Sequence, residues 1–473
     1  MAGWSHGAGQ SMVSFPRDVL QNIALCVGSP VQHVYATDKA FAARKANGSV
    51  VTWGSAAHGG DCSQVQQQLQ DVTAIYANRT CFAAVKADHT VVTWGDAEFG
   101  ARQPAWTQDL LVDVRTICAT ENAFAALTAH GRSVLSWGAY YGGGGRRFNL
   151  PACIPITAIY SHTRGSLFTA TTHDTIFIWG SQPGVEHRVD SHIEAGVVVQ
   201  SVTHNLHAFA ALNLDGTVVS WGTGHLGGDS SAVQPQLVHV QHIYATDDAF
   251  AALKKDGSVV QWGGGPWFAA LQDPRHRWHM APSRPLVDVQ SISSTRHSFA
   301  ALKADGSVIA WGPSAVPPHL TPDIQAELVE VKHIYASCNA FAALKHDGTV
   351  VAWGARDAGG DCSEVQAQLV NVQAIFATIM SFTSHGGFAA LKADGTVVAW
   401  GALPLQLSNH RAHIQAQLVD VRTICAAQCG FAALKKNGSV VAWGMGGWGT
   451  RGQLGDWVLH PQWPLVAVCT AFR

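Results

Sequence analysis

The sequence predicts an all-β repeat fold, a β-propeller of about ten short blades with three to four strands each. Three observations predict it. A Trp-Gly pair recurs ten times at a nearly constant spacing, an Asp-Gly or Asn-Gly pair precedes most copies, and 47 glycines and 17 tryptophans accompany only 13% charged residues. Many tight turns and a large aromatic content to bury are typical of β-rich repeats. A seven-bladed ring with extra repeats and an open superhelix remain as alternatives.

The Trp-Gly pairs define the period of the repeat. Their spacing is 41 to 43 residues, apart from 49 between Trp262 and Trp311 and 47 between Trp353 and Trp400. Self-similarity at such a period indicates one supersecondary unit per repeat, each packed on its neighbours. Ten units follow, and their tryptophans are Trp53, Trp94, Trp137, Trp179, Trp221, Trp262, Trp311, Trp353, Trp400 and Trp443.

The repeats divide the chain into three parts. We expect a lead-in over 1–30, a ten-repeat propeller array over 31–458 and a closing strand over 459–473. Within the last part, Leu465–Cys469 matches the start of a further unit. Pairing of such a strand with the opening blade would hide two sheet edges, which favours one large ring.

One repeat, Val331–Gly354, shows the strands of a unit. The pair Asp347-Gly348 predicts a two-residue hairpin, because such turns require positive φ and Asp-Gly is a preferred sequence for them. The predicted strands on either side of it and before it are Val331–Ala336, Ala340–Lys345 and Thr349–Trp353.

The strand compositions predict how the units pack. The second strand carries Phe-Ala-Ala, as at Phe250, and such small side chains suit a strand crowded near the axis. The third strand, Val-Val-x-Trp, is apolar on both faces, so both faces are expected to be covered, with the tryptophan between units. Two hairpins depart from the pattern, at His89 and around Asp174, and we expect them to be less regular.

A Gly-Gly-Asp-x-Ser loop follows several Trp-Gly pairs, and Val-Gln-x-Gln-Leu follows the loop, as in Val365–Leu369. An Asp or Ser ahead of such a segment is typical of a helix start, so a single helical turn is predicted. Each loop has only one carboxylate, far fewer than the six to eight oxygen ligands of Ca²⁺. The loops with this sequence are Gly59–Ser63, Gly227–Ser231 and Gly359–Ser363.

The repeat resembles that of the regulator of chromosome condensation (RCC1) family: a strand of small residues, an Asp-Gly turn and a valine-rich strand ending in Trp-Gly. The match spans Val31 to about Gly455, and Gly452-Gln453-Leu454-Gly455 is similar to the family's signature after the tryptophan. The resemblance implies a β-propeller, with a blade length similar to that of compact three-stranded propellers. It also implies three possible activities: nucleotide exchange on a small GTPase, a part in ubiquitin ligation, or passive binding. No residues match an exchange loop, and no separate ligase domain is present in this sequence.

Charge and cysteine usage narrow the class of partner. Thirty basic and 32 acidic side chains give a formal charge of −2, so nucleic acid is an unfavoured partner. No stretch approaches about 18 consecutive apolar residues, and residues 1–10 have no signal-like pattern, so no membrane association is expected. The ten cysteines are dispersed, as free thiols are in a reducing compartment. A monomeric protein of the cytoplasm or nucleus is predicted.

Candidate chemical motifs are weak. Gly142–Gly145 lacks the Gly-Lys-Ser/Thr ending of a phosphate-binding loop. Cys425 and Cys429 have no accompanying second Cys pair for zinc. Of the 24 dispersed histidines, the pairs His276 with His279 and His410 with His413 are more simply surface residues. No cofactor, no metal and no enzymatic activity are therefore predicted.

The function predicted is a non-catalytic protein–protein interaction scaffold. The alternatives are a guanine-nucleotide exchange or chromatin-associated regulator and the substrate-recognition part of a ubiquitin ligase system. Partner binding is assigned to the insertion from Gly264 to Pro285, because aromatic and arginine side chains together are typical of interface hot spots. A loop that covers an apolar blade edge is the alternative role. The candidate residues are Trp267, Arg275, Arg277, Trp278, His279 and Arg284.

Overall fold

Ten small antiparallel sheets, which we number as blades 1 to 10 in chain order, make up the described part of the chain. This is a computed structural model. It describes residues 31–104, 110–128, 133–149, 156–161, 167–172, 175–180, 191–192, 198–264, 285–312, 320–378, 386–401, 415–426, 430–437 and 440–444.

Each blade is a meander of three consecutive strands, with the second strand in the middle. The first strands are Val31–Ala36, Val72–Ala77, Val114–Ala119, Ala158–Ser161, Val199–His204, Val240–Ala245, Val289–Ser294, Val331–Ala336, Val372–Ala377 and Val421–Ala426. The middle strands are Ala40–Lys45, Cys81–Lys86, Ala123–Thr128, Leu167–Thr171, Ala208–Asn213, Ala249–Lys254, Phe299–Lys303, Ala340–Lys345, Gly387–Lys392 and Gly430–Lys435. The third strands are Val50–Gly54, Val91–Gly95, Ser133–Gly138, Thr175–Gly180, Val218–Gly222, Val259–Gly263, Val308–Trp311, Val350–Gly354, Val397–Gly401 and Val440–Gly444.

Two blades have a fourth strand, and short helical turns lie between blades. Arg146–Asn149 pairs with the third strand of blade 3, and Ser191–His192 pairs with that of blade 4. The predicted helical turn of Val-Gln-x-Gln-Leu is confirmed. Helical segments are Ala56–His58, Gln66–Gln68, Ala97–Ala101, Tyr140–Gly142, Gly224–Leu226, Gln234–Gln236, Pro322–Glu327, Arg356–Ala358 and Ser363–Gln368.

The blades form one closed ring. An apolar cluster joins each blade to the next, from blades 1 and 2 to blades 9 and 10. A tenth cluster joins blade 10 to blade 1, where Cys425 and Leu434 pack with Val34 and Val51. The single ring is therefore confirmed, and the seven-bladed and superhelical alternatives are wrong. In the described residues, the ring is closed by the face-to-face packing of the sheets of blades 10 and 1. The predicted closing strand, 459–473, lies outside the described residues.

The first strand of each blade is the one nearest the axis. First strands of neighbouring blades approach each other, including those of blades 1 and 10. The expectation that the alanine-rich second strand is nearest the axis is wrong. Its alanines are buried because it is the middle strand and blades cover both of its faces, as for Ala342 and Ala343.

The hairpin between the second and third strands is longer than predicted. In blade 8, the Gly348 N–H donates to the Lys345 carbonyl, and only the glycine has positive φ. This is a three-residue connection whose last residue is left-handed, rather than a two-residue turn. The expected irregularity at His89 is also wrong, since His89 adopts the same left-handed conformation (φ 62) and β pairing stays in register. The turn at Asp174 lies outside the described residues.

These hairpins connect neighbouring blades. The Val72 N–H, at the start of blade 2, donates to the Gly48 carbonyl of the blade 1 hairpin at 2.9 Å. A Cβ on Gly48 would lie 2.8 Å from the Cα of Asp71, so the two blades are in close contact here; at the junction of blades 2 and 3, His89 occupies the equivalent position. The same bond recurs at six more junctions, with the donors Val114, Val240, Val289, Val331, Val372 and Val421. We call this side of the ring, with the hairpins and the starts of the first strands, the hairpin face, and the opposite side the loop face.

Candidate interaction surface

The Trp-Gly tryptophans pack between blades, as predicted. Each stacks on the phenylalanine opposite it on the middle strand, with ring centroids 5.2 to 5.5 Å apart in all ten blades. The Trp94 indole N–H also donates to the Gly59 carbonyl of the preceding blade at 3.0 Å. Trp137, Trp262 and Trp400 make the same bond to the preceding blade. The ring is thus held by stacking within each blade and by hydrogen bonds between blades.

The Gly-Gly-Asp loops are part of this packing. Gly59 has φ 88, and a Cβ there would lie 2.7 Å from the Phe82 ring of the next blade. A Cβ on Gly60 would lie 2.4 Å from the Gly54 carbonyl oxygen. The Asp61 carboxylate accepts from the Ser63 N–H within the loop at 2.8 Å. Both glycines and the aspartate therefore have a structural role.

Two recurring polar residues were missed by the sequence reasoning. The first glutamine of Val-Gln-x-Gln-Leu donates to the carbonyl that opens the third strand, as Gln366 does to Val350 at 3.0 Å. The residue after the first strand, a Thr, Asn or Ser, binds the loop above its own blade, as Ser337 does to the Ala358 carbonyl at 2.8 Å. In the sequence, the signal that could have identified these two residues is that each recurs at one position of the repeat.

Ionic and backbone hydrogen bonds connect blades on the loop face. The Asp38 N–H donates to the Arg79 carbonyl at 3.0 Å, and the Arg79 guanidinium contacts the Asp38 carboxylate at 3.0 Å. Asp247 and Arg296 repeat both contacts between blades 6 and 7. Burial raises the pKa of Asp38, and the Arg79 charge partly offsets this rise. These charges are paired with each other and so are poor candidates for binding a ligand.

Near the axis, hydroxyl groups connect successive first strands. The Thr203 hydroxyl donates to the Ile243 carbonyl at 3.3 Å, and the Ser293 hydroxyl donates to the Ile334 carbonyl at 2.9 Å. Tyr244 occupies the equivalent position in blade 6, and its burial raises its pKa. These side chains are engaged between blades.

A row of exposed valines lies on the hairpin face. Each valine stands two residues before its first strand, at one repeat position, and is 38–49% exposed. The next residue has positive φ and turns the chain into the strand, as Glu330 does (φ 55). Five consecutive blades, 6 to 10, have this valine, and blade 3 has another at Val112. We call the five the valine row: Val238, Val287, Val329, Val370 and Val419.

The partner-binding residues predicted from the sequence lie outside the described residues. Trp267, Arg275, Arg277, Trp278, His279 and Arg284 all fall within 265–284. The described chain stops at Gly264 and resumes at Pro285 on either side of them. Their assignment stays a prediction.

The described residues offer little for metal or thiol chemistry. No group of three or more His, Cys, Asp or Glu that could hold a metal ion occurs in the described ranges. Cys425 is buried in the cluster between blades 10 and 1, and Cys429 is outside the described residues. Burial raises the pKa of the Cys81 thiol to about 11, so the thiolate is disfavoured at neutral pH. In the same described ranges, no helix is long and apolar enough to cross a membrane.

Comparisons with known proteins found similar solved structures only at low sequence identity. No protein-family model matches the chain, and no curated protein matches it. Among solved structures, Prp20p from Saccharomyces cerevisiae, which is the yeast RCC1, is 13% identical over 74% of this chain and 86% of that chain, with a TM-score of 0.32. The CRINKLY WD40 ectodomain of the Arabidopsis thaliana receptor kinase ACR4 is 13% identical over 58% and 92%, with a TM-score of 0.33. The computationally designed protein Ika8 is 16% identical over 69% and 96%, also with a TM-score of 0.33. By its own sheets and junctions the described part of the chain is a β-propeller of ten blades, and an RCC1 protein is among the solved structures to which the chain is similar.

Proposed function

We propose that the protein is a non-catalytic interaction scaffold of the cytoplasm or nucleus that binds a protein partner as a monomer. The observation that carries this proposal is the valine row on the hairpin face. Solvent-exposed valine at one repeat position of five consecutive blades presents apolar groups in a regular arc. Exposed apolar side chains that recur on one face of adjacent units are candidates for a protein interaction site.

The neighbours of the valine row support a protein partner. Lys254 with Asp256 and Lys303 with Asp305 are ion pairs on the hairpins of blades 6 and 7. These hairpins lie on the same face as the row, and they combine both signs of charge. An apolar strip bordered by mixed charges suits a protein surface better than a polyanion, which requires a basic patch.

A double substitution tests the proposal. Val329→Lys with Val370→Lys places two charges in the middle of the row. Because both valines are more than 40% exposed, we expect the melting temperature to change little. Leu214→Lys is the matched control, since Leu214 is 64% exposed on the hairpin of blade 5, outside the row. Affinity purification with mass spectrometry should lose specific partners with the double variant and keep them with the control.

Two outcomes would contradict the proposal. Unchanged partner recovery with the double variant would show that the valine row is not the binding surface. Guanine-nucleotide exchange on a small GTPase, or hydrolase or ligase activity, at catalytic concentrations of purified protein would contradict the non-catalytic function. The insertion 265–284 is a second predicted contact, so Arg277→Ala with Trp278→Ala should also weaken recovery; binding belongs to the insertion alone only if this variant loses partners that the valine variant retains.

A further inference from the structure

The third strand forms the outer edge of most blades, and its outward backbone groups are bound in two different ways. In blade 3 the segment Arg146–Asn149 adds a fourth strand, in which Phe148 pairs with Val134 of the third strand. In six other blades, a glutamine side chain donates to the carbonyl at the position equivalent to Val134, at 2.7–3.3 Å. A side chain therefore binds the edge at the point where a fourth strand pairs in blade 3. These glutamines are Gln66, Gln103, Gln234, Gln325, Gln366 and Gln415.

After blades 1, 5 and 8, a second side chain orients the amide of this glutamine. The Cys362 thiol donates to the Gln366 amide oxygen at 2.9 Å, while the amide nitrogen donates to the Val350 carbonyl. Cys62 makes the same contact after blade 1, at 3.1 Å, and the Ser230 hydroxyl makes it after blade 5, at 2.8 Å. Because a thiol and a hydroxyl serve equally, the donor geometry is the shared property of this position.

The glutamines lie at the surface of the ring. Gln234, Gln325 and Gln366 are exposed, although the amide of each is bound to a third strand. A hydrogen bond of this kind contributes only modestly to stability. Its position has a larger consequence, because the unpaired backbone groups of an edge strand are a template for pairing with another strand. The valine-rich third strand is also of the composition that favours such pairing.

We propose that these side chains, which we call the glutamine clips, close the outer edges of the ring to strand addition and so keep the chain monomeric. Without the clips, the third strand of one copy pairs with the third strand of a second copy. Blade 3 supports this occupant, because an antiparallel strand of the chain itself is seated on the equivalent edge. The sequence Val-Val-x-Trp recurs in most third strands, so two copies offer each other several matching edges. The proposal is independent of the valine row, which lies on the hairpin face.

Removal of three clips in the full-length chain tests the proposal. The clip variant carries Gln66→Leu, Gln234→Leu and Gln366→Leu, since leucine has a similar size but no donor. The matched control carries the same change two residues later in each segment, where the glutamines are exposed. In analytical ultracentrifugation, the average mass of the clip variant should at least double with increasing concentration, whereas wild type and the control stay monomeric. The control substitutions are Gln68→Leu, Gln236→Leu and Gln368→Leu.

Hydrogen exchange locates the contact between copies. In dilute solution, peptides covering 50–54, 218–222 and 350–354 should exchange about two- to tenfold faster in the clip variant than in wild type. The same peptides should become protected as the protein is concentrated. Serine at the three clip positions is polar and too short to reach the carbonyl, and it should give the same result without added apolar surface. Cys62→Ser with Cys362→Ser should remain monomeric, because Ser230 fills this role in blade 5.

Three results would overturn the proposal. A clip variant that stays monomeric, with wild-type exchange in the three peptides, would show that the clips do not close the edges. Equal association of the clip variant and the leucine control would assign the association to the added apolar side chains. Association of the clip variant without protection of the third strands would place the contact between copies elsewhere on the ring.

Discussion

Replacing Trp400 and Trp353 by phenylalanine should cost different amounts of stability, although the two side chains have nearly the same surroundings. Trp400 is 5% exposed and Trp353 is 0% exposed. Both stack on a phenylalanine with ring centroids 5.2 Å apart. The Trp400 indole donates to the Gly359 carbonyl at 2.9 Å, whereas the Trp353 indole nitrogen is buried without a partner.

The magnitude follows from this one difference. Trp→Phe removes the same part of the ring at both positions, so the loss of packing is similar. At Trp400 the change also leaves the Gly359 carbonyl without its donor, which costs about 1–3 kcal/mol for a buried group. At Trp353 it removes an unpaired donor and so relieves a comparable desolvation cost. We expect Trp400→Phe to destabilise the protein by at least about 1 kcal/mol more than Trp353→Phe, while Trp→Ala costs about 3–5 kcal/mol at either position.

Urea denaturation followed by far-UV circular dichroism measures both variants against wild type, with equal m-values as the condition for comparison. Amide exchange in blades 8 and 9 provides a local measure if the ring unfolds in parts. The reasoning would be refuted by a Trp353→Phe variant that is destabilised as much as, or more than, Trp400→Phe.

Four further predictions concern other parts of the ring. A chain cut after Ala251, within a middle strand, should aggregate because a sheet edge is exposed, and a monomeric fragment with full β signal would contradict this. Gly359→Ala should destabilise the protein by about 1–3 kcal/mol, because Gly359 has φ 93 and the added Cβ would lie 2.7 Å from the Phe388 ring. An unchanged melting temperature would show that the loop can move to make room for the added Cβ. Arg277→Ala with Trp278→Ala should weaken partner capture at nearly constant melting temperature, and loss of stability with binding intact would make that insertion structural. Hydrogen bonds from Ser or Thr hydroxyl groups hold the pKa of the hairpin aspartates below the ordinary 3.8. The stability that these carboxylates contribute to the fold is therefore complete above pH 3.8 and is lost as the pH falls through the lower pKa of the folded state. Asn makes the same turn bonds at position 47. Replacing the hairpin aspartates by Asn should therefore reduce the loss of stability below pH 3.8 in thermal melts, and an unchanged pH profile would contradict this prediction. The positions are Asp215, Asp256, Asp305, Asp347 and Asp394.

The candidate surface was much less predictable than the repeat. In the sequence, nothing distinguishes the exposed Val329 of the valine row from the buried Val331, two residues later. The difference arises because Glu330 has positive φ, which turns Val329 outward as the chain enters the strand. Similarly, the Gly-Gly-Asp loops resembled isolated turns, and only the position of Phe82 in the next blade shows why Gly59 is glycine.

The sequence by itself determined the repeat, its ten copies and its three strands, because a tryptophan buried at a constant position and a hairpin glycine recur with one period. It also predicted the packing of Trp353 between units, since an apolar strand such as Val350–Gly354 requires cover on both faces. Only the tertiary structure decided which strand is nearest the axis and how many blades close the ring. Both features depend on the angle between neighbouring sheets. This angle is set by the packing of residues at each junction, such as Cys425 against Val34, and its effect adds up over ten blades.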